Sequence, residues 1–403
     1  MGGSLPLELL GDVHWMFVSV GIVSSLLFTG LVLWSRTRPA PDPSLPLPPL
    51  TVLKPFDGVD ADMGESFWTY LQAGYGAPRE VLFCTSRDNA AGIAVAEAVL
   101  ARLAREPQEG VTARLLLPEE GEEPWITRKV WHMARGFAAA RHDVIVNGDS
   151  GTSLLPGTLE ALVRTLVASP DCGAVWAPYS VSEGSSIGTR LTRVAWTATT
   201  MNFLVVGAVH QAFKQKPMLA GGLFAARREA VAQIGGFAEA DGYLTEDYEI
   251  GRRITANGWL VKPSRVPVVR HMGELTFGQF FQRQLRWNTI LWRLRDPLRA
   301  PYPLTMCGLA VAPITCAAAS LAFPERLGEY GSALAALYLT RGLYALLLRF
   351  LTTGARPQLE TLLLLPLLDA VFLVTWARGP FVRTIMWRDT KLRVGREGKV
   401  TLA

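Results

Sequence analysis

The sequence is poor in cysteine and, over long stretches, in charge. Its four cysteines, Cys84, Cys172, Cys307 and Cys316, show no metal-binding spacing, and the chain has no internal repeat. The first absence leaves free thiols as the expectation for Cys84 and Cys172. The second excludes a repeat array. From Val13 to Ser35 there is no Lys, Arg, Asp or Glu. An uncharged run of that length can cross a bilayer core, which takes roughly 20 residues. No positive charge precedes it, and it exceeds the apolar stretch of about 7–15 residues in a secretory signal. It reads as an uncleaved anchor.

Charge is also scarce in the C-terminal third. Residues 301–324 carry none, 330–348 are apolar except for Arg341, and 361–377 are apolar except for Asp369. Intramembrane charges of opposite sign are costly unless paired, so Arg341 and Asp369 are expected to form an ion pair. Apolar residues make up 49% of the 403 residues, and the mean hydropathy is positive. The chain divides into a short N-terminal segment (1–12), the anchor (13–35), a Pro-rich linker (36–49), an α/β domain (50–275), an amphipathic interfacial helix (276–297), C-terminal membrane helices (301–377) and a basic tail (378–403).

Charge sets an orientation. Arg36 and Arg38 follow the anchor, whereas Glu8 and Asp12 precede it. The positive-inside rule then puts the α/β domain in the cytoplasm. The tail, with Arg378, Arg383, Arg388, Lys391, Arg393, Arg396 and Lys399 against Asp389 and Glu397, is expected there too. Four full spans would put it outside, so one C-terminal segment is expected to be re-entrant or interfacial.

The central domain alternates strand and helix. Strands are expected at 50–54, 80–86, 112–117 and 143–147, with helices at 64–73, 91–105 and 125–140 between them and another in "LPGTLEALVRTLVAS". This order implies a doubly wound, mostly parallel sheet, whose ligands bind beyond the C-terminal strand ends. Lys54-Pro55, Asp88 in "TSRDNAAG" and Asp149 in "NGDSG" stand at three such ends. Singly, Asp88 reads as a helix cap and Asp149 as a turn former; together they point to a ligand. In "YLTEDYEIGRRI", Thr245 is placed to cap a helix with Glu246, Asp247 and Glu249 in its first turn. In "FGQFFQRQLRWNTILW", Phe277, Phe280, Phe281 and Leu285 make an apolar stripe from which Arg283 and Arg286 project, with Trp287 at head-group depth. Val194 to Phe213 has no formal charge and reads as a helix on the membrane lining an acceptor channel. Gly221 and Gly222 are expected to allow a ligand close to the backbone.

The ordered set resembles membrane-bound inverting glycosyltransferases of the GT-A (Rossmann-like) fold. More narrowly, "TVLKPFDGVD", "NGDSG", "TEDYEIGRRI", "QFFQRQLRW" and "WRDTKLRVGREGK" resemble the ceramide glucosyltransferase family, with its bacterial ceramide and hopanoid relatives, over about residues 50–400. The resemblance implies that Lys54, Pro55 and Asp88 hold the uridine end of a UDP-sugar. It implies that Asp149 lies at the diphosphate and its divalent metal, Mg²⁺ or Mn²⁺, and that Asp247 is the general base. Arg283, Arg286 and Trp287 would close over donor and acceptor. The expected D-x-D motif reads Asp149-Ser150-Gly151, so a carboxylate is missing, and His271 is a candidate second ligand.

The chemistry suits these residue types. An inverting transfer needs one carboxylate to take the acceptor proton, and cations to stabilise the leaving diphosphate. Arg serves better than Lys there because its planar fork binds two oxygens. The reaction implied is transfer of a sugar, glucose foremost, from a UDP-sugar to a membrane-lipid hydroxyl, ceramide foremost. A hopanoid or other lipid acceptor, a processive polysaccharide synthase and an inactive lipid-binding protein are the alternatives. The setting implied is a bacterial inner membrane or a Golgi-type membrane.

Overall fold

The computed structural model describes residues 5–122, 124–199, 202–213, 219–294, 308–354, 356, 358–387 and 390–403. Parts of the expected 276–297 helix, the 301–377 region and the tail, with Cys307, Arg388 and Asp389, lie outside the described residues.

A seven-stranded sheet forms the centre of the domain. Its parallel half is β3 (Val111–Leu116), β2 (Arg79–Cys84), β1 (Leu50–Pro55) and β4 (Val144–Gly148), side by side in that order. β8 (Leu223–Arg227) then runs antiparallel between β4 and β6 (Cys172–Trp176), and β9 (Leu260–Pro263) is parallel to β6 at the edge. β1, β2 and β4 are buried along their whole length, which is why their sequences show no polar alternation. Helices α2 (Met63–Gln72), α3 (Ala90–Arg105), α4 (Arg128–Ala139) and α5 (Thr158–Val167) fill the crossovers. A small second sheet, in the order β5 (Thr152–Leu154), β10 (Val268–Arg270), β7 (Tyr179–Val181), lies beyond the end of β4.

Local capping differs from expectation at two points. Asn89, not Asp88, caps α3, accepting from Gly92 N at 3.2 Å. Thr245 precedes α9 (Glu246–Ala256), but its hydroxyl makes no capping bond. The 194–213 stretch is also not one helix. It contributes to α6 (Ile187–Ala198) and α7 (Phe203–Phe213), with a break after the Thr199 position. α6 is almost wholly buried in protein, so it cannot lie on lipid.

Around the domain sit α1 (Leu5–Thr37), α10 (Phe277–Leu294), α11 (Gly308–Ala322), α12 (Leu327–Thr353) and α13 (Leu359–Arg378). Three helical stretches are long and apolar enough to cross a membrane: Glu8–Thr37, Pro324–Thr353 and Leu359–Phe381. α12 runs parallel to α1. Gly11 meets Tyr330, Gly21 meets Leu337, and Arg36 donates to Leu351 O at 2.5 Å. α11 lies on the returning path, with Thr315 bonded to His14 at 3.2 Å.

α13 behaves differently from its composition. Near its start, Glu360 pairs with Arg190 at 2.8 Å and Arg193 at 3.0 Å, both on α6. Near its end, Thr375 accepts from Asn288 of α10 at 2.9 Å and Trp376 O from Trp292 at 2.9 Å. Both ends are thus tied to protein, the first to α6 and the second to α10, although the stretch is also long and apolar enough to cross a membrane. The expected ion pair within this bundle is present, with Arg341 Nη2 at 3.1 Å from Asp369 Oδ2.

The chain after α13 is not a loose tail. β11 (Thr384–Trp387), β12 (Thr390–Val394) and β13 (Val400–Leu402) form an antiparallel sheet. It folds back onto the domain, where Leu392, Val394 and Val400 pack with Leu244 and Ile290 in a separate apolar cluster.

Candidate active site

The C-terminal ends of β1 and β4 open into a cavity of roughly 310 Å³. Pro55, Asp60, Lys129, Asp149, Glu246, Arg270 and Arg286 line it, and Trp387, Thr390, Leu392 and Val400 of the C-terminal sheet form its outer wall.

Asp149 is the electrostatic centre. Lys129 Nζ lies 2.6 Å from its Oδ1 and Arg270 Nη1 2.6 Å from its Oδ2. Burial pushes the carboxyl up, but Lys129 and Arg270 outweigh it and hold Asp149 below its ordinary value. Lys129 also reaches Glu246 at 2.6 Å, so one ammonium bridges two carboxylates from opposite sides of the cleft. Asp60 accepts from Ser150, the residue after Asp149.

Asp247 lies in the first turn of α9. Its Oδ2 accepts from Gly221 N at 2.8 Å and its Oδ1 from Tyr248 N at 2.8 Å. The side chain keeps a solvent-facing edge. Its surroundings are nevertheless dense, and burial together with neighbouring Glu246 raises its pKa from 3.8 to about 7, against the opposing pull of Lys129 and the two backbone donors. A carboxyl so tuned exchanges a proton near neutrality, as a general base should. The two glycines beside it serve the protein. A Cβ on Gly221 would sit 2.9 Å from Asp247 Oδ2, and one on Gly222 would overlap Tyr179, whose hydroxyl accepts from Gly222 N. The close approach expected for a ligand is thus made by side chains of the chain itself.

The other expected residues divide. Arg286 reaches the cavity; its guanidinium lies 4.6 Å from the Trp387 ring centroid, and no carboxylate among the described residues pairs with it. Arg283 is half-buried on Trp196 at 5.2 Å and donates to Met272 Sδ at 3.4 Å. Burial, then Arg270 and Arg286, lower its pKa to about 9, and burial and Arg270 lower that of Arg286 to about 10. Around the cavity the charges balance: Asp57, Asp60, Asp149 and Glu246 stand against Arg128, Lys129, Arg270 and Arg286, and of these cations Arg286 has no carboxylate partner among the described residues. Trp287 is 37% exposed and does not face the cavity. Lys54 is fully buried beneath it, donating to Asp149 O at 2.5 Å and lying 3.9 Å from the Tyr70 ring centroid. It shapes the Asp149 turn and does not line the cavity. Asp88 is largely exposed and pairs with Arg128 at 2.7 Å; Arg128, not Asp88, lines the cavity.

His271 is not brought to Asp149. Its Nε2 is 2.8 Å from Ser153 Oγ and its Nδ1 3.0 Å from Asp62 Oδ2. It follows Arg270 on an extended segment, where successive side chains point to opposite faces, so the residue beside it takes the cleft position. Among the described residues no three His, Cys, Asp or Glu side chains form a metal cluster. The sequence reading missed Lys129, Arg270 and the C-terminal sheet. Lys129 stands at the start of α4, where the only signal was a cation at the head of a helix facing a strand end. Cys84, Cys172 and Cys316 are buried free thiols.

A family model described as Glycosyl transferase family 21 matches residues 15–400. Ceramide glucosyltransferase 1 of Caenorhabditis elegans is 22% identical over 267 residues, covering 66% of this chain and 54% of that protein. The ceramide glucosyltransferase of Komagataella phaffii (strain GS115 / ATCC 20864) is 28% identical over 196 residues, covering 46% and 35%. The chain thus spans about half the length, or less, of these curated relatives. Among solved structures, a mannosyltransferase from Pyrobaculum calidifontis in complex with GDP-Man and Mn²⁺ is 16% identical with a TM-score of 0.43, covering 90% of this chain and 98% of that one. Glucosyl-3-phosphoglycerate synthase from Mycobacterium tuberculosis in complex with Mg²⁺ and UDP is 17% identical with a TM-score of 0.33, covering 56% and 70%.

Proposed function

The chain belongs to glycosyl transferase family 21, and from that premise we propose that it moves a sugar, glucose foremost, from a UDP-sugar to the hydroxyl of a membrane lipid of ceramide type, with inversion. The observation that carries this reading is the nearness of a near-neutral carboxyl on Asp247, next in sequence to the cavity-lining Glu246, to the cations Lys129 and Arg270 that hold Asp149. In the reaction, Asp247 accepts the proton of the acceptor hydroxyl as its oxygen attacks the anomeric carbon. The bond to the nucleotide diphosphate breaks, and Arg270, Arg286 and Lys129 stabilise the charge left on that group. No covalent intermediate on the protein is required.

The donor set fits a hard divalent cation. Mg²⁺ is commonly held by one or two carboxylates together with substrate phosphates, and Asp149 and Asp60 face the same cavity. Bound there, Mg²⁺ or Mn²⁺ would supply further charge neutralisation at the leaving diphosphate. His271 is left out of that set. Arg283, held on Trp196, would tune the field at Arg286, and Trp287 would meet lipid.

The family resemblance and the relatives' names support a lipid acceptor; the contacts of α13 and of the C-terminal sheet with the domain support a tail on the domain's side, and the charge pattern supports the cytoplasm as that side. A hopanoid acceptor and an inactive lipid-binding protein are separated from this reading by one experiment. UDP release by the purified protein is followed with Mg²⁺ or Mn²⁺, a panel of UDP-sugars, and ceramide or a hopanoid, with Asp247→Asn alongside. Acceptor-dependent release with ceramide, lost in the variant, is expected. UDP binding without release from any pair would reduce the protein to a nucleotide-sugar-binding membrane protein.

A further inference from the structure

We propose that the C-terminal sheet is a positioning element of the active site: it ties the loop that delivers Asp247 to the helix that carries Arg286, and Trp387 orients Arg286 toward the donor diphosphate. This rests on the glycosyltransferase reading of the cleft.

Three independent sets of contacts carry it. The first is backbone pairing. Leu244 N donates to Gly398 O at 3.0 Å and Val400 N donates to Gly242 O at 2.7 Å, so the sheet extends onto the loop just before Asp247. Gly398 has φ +77°, a left-handed conformation, and a Cβ there would lie 3.4 Å from Thr245 Oγ1 and 3.3 Å from Leu294 Cδ2. Gly398 thus lies against the residue that opens the base-bearing turn; a Cβ there would meet only ordinary or slightly tight contacts, and it is the left-handed backbone that disfavours a side chain.

The second is the apolar cluster in which Leu392 and Val400 of the sheet meet Leu244 of the loop and Ile290 of α10. It is separate from the main core and joins the three pieces that must keep register for base and cations to face one donor. The third is the Trp387 ring. Its face holds the Arg286 guanidinium at 4.6 Å on the cavity wall. An aromatic face fixes a cation without neutralising it, whereas a carboxylate would satisfy it and remove it from phosphate binding. The arrangement leaves the guanidinium edge, with its N–H donors, free for an anion.

The test uses the full-length protein in lipid nanodiscs. UDP affinity is measured by calorimetry, kcat and donor KM by acceptor-dependent UDP release, and fold by thermal unfolding. Trp387→Ala is expected to weaken UDP binding and raise donor KM by about three- to thirty-fold with little change in kcat, and Trp387→Phe to restore most of that loss. Gly398→Ala is expected to lower kcat by about ten-fold with donor KM nearly unchanged, because a residue with a Cβ is strained at φ +77° and any relaxation of the backbone is passed through the Gly398 O bond with Leu244 N to the turn that carries Asp247. Met386→Ala, on the outward face of the same strand, is expected to match wild type. Wild-type UDP affinity in Trp387→Ala with wild-type kcat in Gly398→Ala would overturn the proposal. So would kcat and KM worsening together, in Met386→Ala as well, in step with lost thermal stability. If wild type binds UDP but transfers nothing, the function reading fails while the Ala-against-Phe affinity contrast still decides the Trp387 role. Wild type that binds no UDP overturns both.

Discussion

Replacing Asp247 by Asn should separate activity from stability, with opposite signs at neutral pH. The Asp247 carboxyl is raised from 3.8 to about 7 in the folded protein. As a base it must be deprotonated, so the ionised fraction rises from about one-tenth at pH 6 to about nine-tenths at pH 8, and kcat should rise roughly ten-fold over that interval. Removing the base should cost about 10²- to 10⁴-fold in kcat. The stability sign runs the other way. A carboxyl whose folded pKa is raised contributes its full stability below the unfolded value and loses it as pH rises through the folded value. The loss is roughly 4 kcal/mol at most by pH 8, at 1.36 kcal/mol per unit. Asn avoids that loss, but it has one oxygen for the two backbone donors, Gly221 N and Tyr248 N, and orphaning one costs about 1–3 kcal/mol. Asp247→Asn should therefore be more stable than wild type by about 1–3 kcal/mol at pH 8 and less stable near pH 4. The assay is denaturant unfolding at both pH values beside a pH profile of UDP release. A flat profile from pH 6 to 8, or a variant less stable than wild type at pH 8, would refute the reasoning.

Other perturbations test the surrounding charges. Lys129→Met removes the cation shared by Asp149 and Glu246, so the acidic limb of the kcat profile should move up by about one pH unit and UDP affinity should fall. Arg341→Leu leaves Asp369, which is wholly buried, without its guanidinium; about 3–5 kcal/mol should be lost in unfolding measurements, and Arg341→Leu with Asp369→Leu should recover most of it. His271→Ala should leave the concentration of Mg²⁺ or Mn²⁺ giving half-maximal rate unchanged, because its ring is engaged with Ser153 and Asp62; a shift of ten-fold or more would return His271 to the metal site.

The parallel half of the sheet was legible because β1, β2 and β4 are buried on both faces, and continuous apolar runs between helices have few other readings. Their ends located the cleft, and Asp149 fell in it. Lys54 was misread for a local reason. A lysine at a strand end looks exposed in sequence, yet the Asp149 turn folds over it and its charge is spent on backbone carbonyls. Arg270 was hidden beside a histidine, in a three-residue strand too short to show which face its alternate residues take. The C-terminal sheet was invisible for a different reason. "TIMW", "TKLRV" and "VTL" are brief and rich in polar residues, and what fixes them is pairing with a loop more than 150 residues away in sequence. Composition reports such a segment as a basic tail. The break between α6 and α7 was missed because an uncharged stretch reads alike whether it meets lipid or protein.

The lie of α13 has a mechanical consequence. An apolar helix tied at both ends to the protein, at α6 and at α10, would, if it lay along one leaflet, fill space among the lipids of that leaflet and none in the other. Such a helix is a wedge. It widens the leaflet that holds it, and that area mismatch is relieved when the bilayer bends so that this leaflet becomes the outer, convex one. Small vesicles that display this leaflet outward would then hold the protein more tightly than flat bilayers of the same lipids. Membrane shape, as well as substrate supply, would set where the enzyme collects.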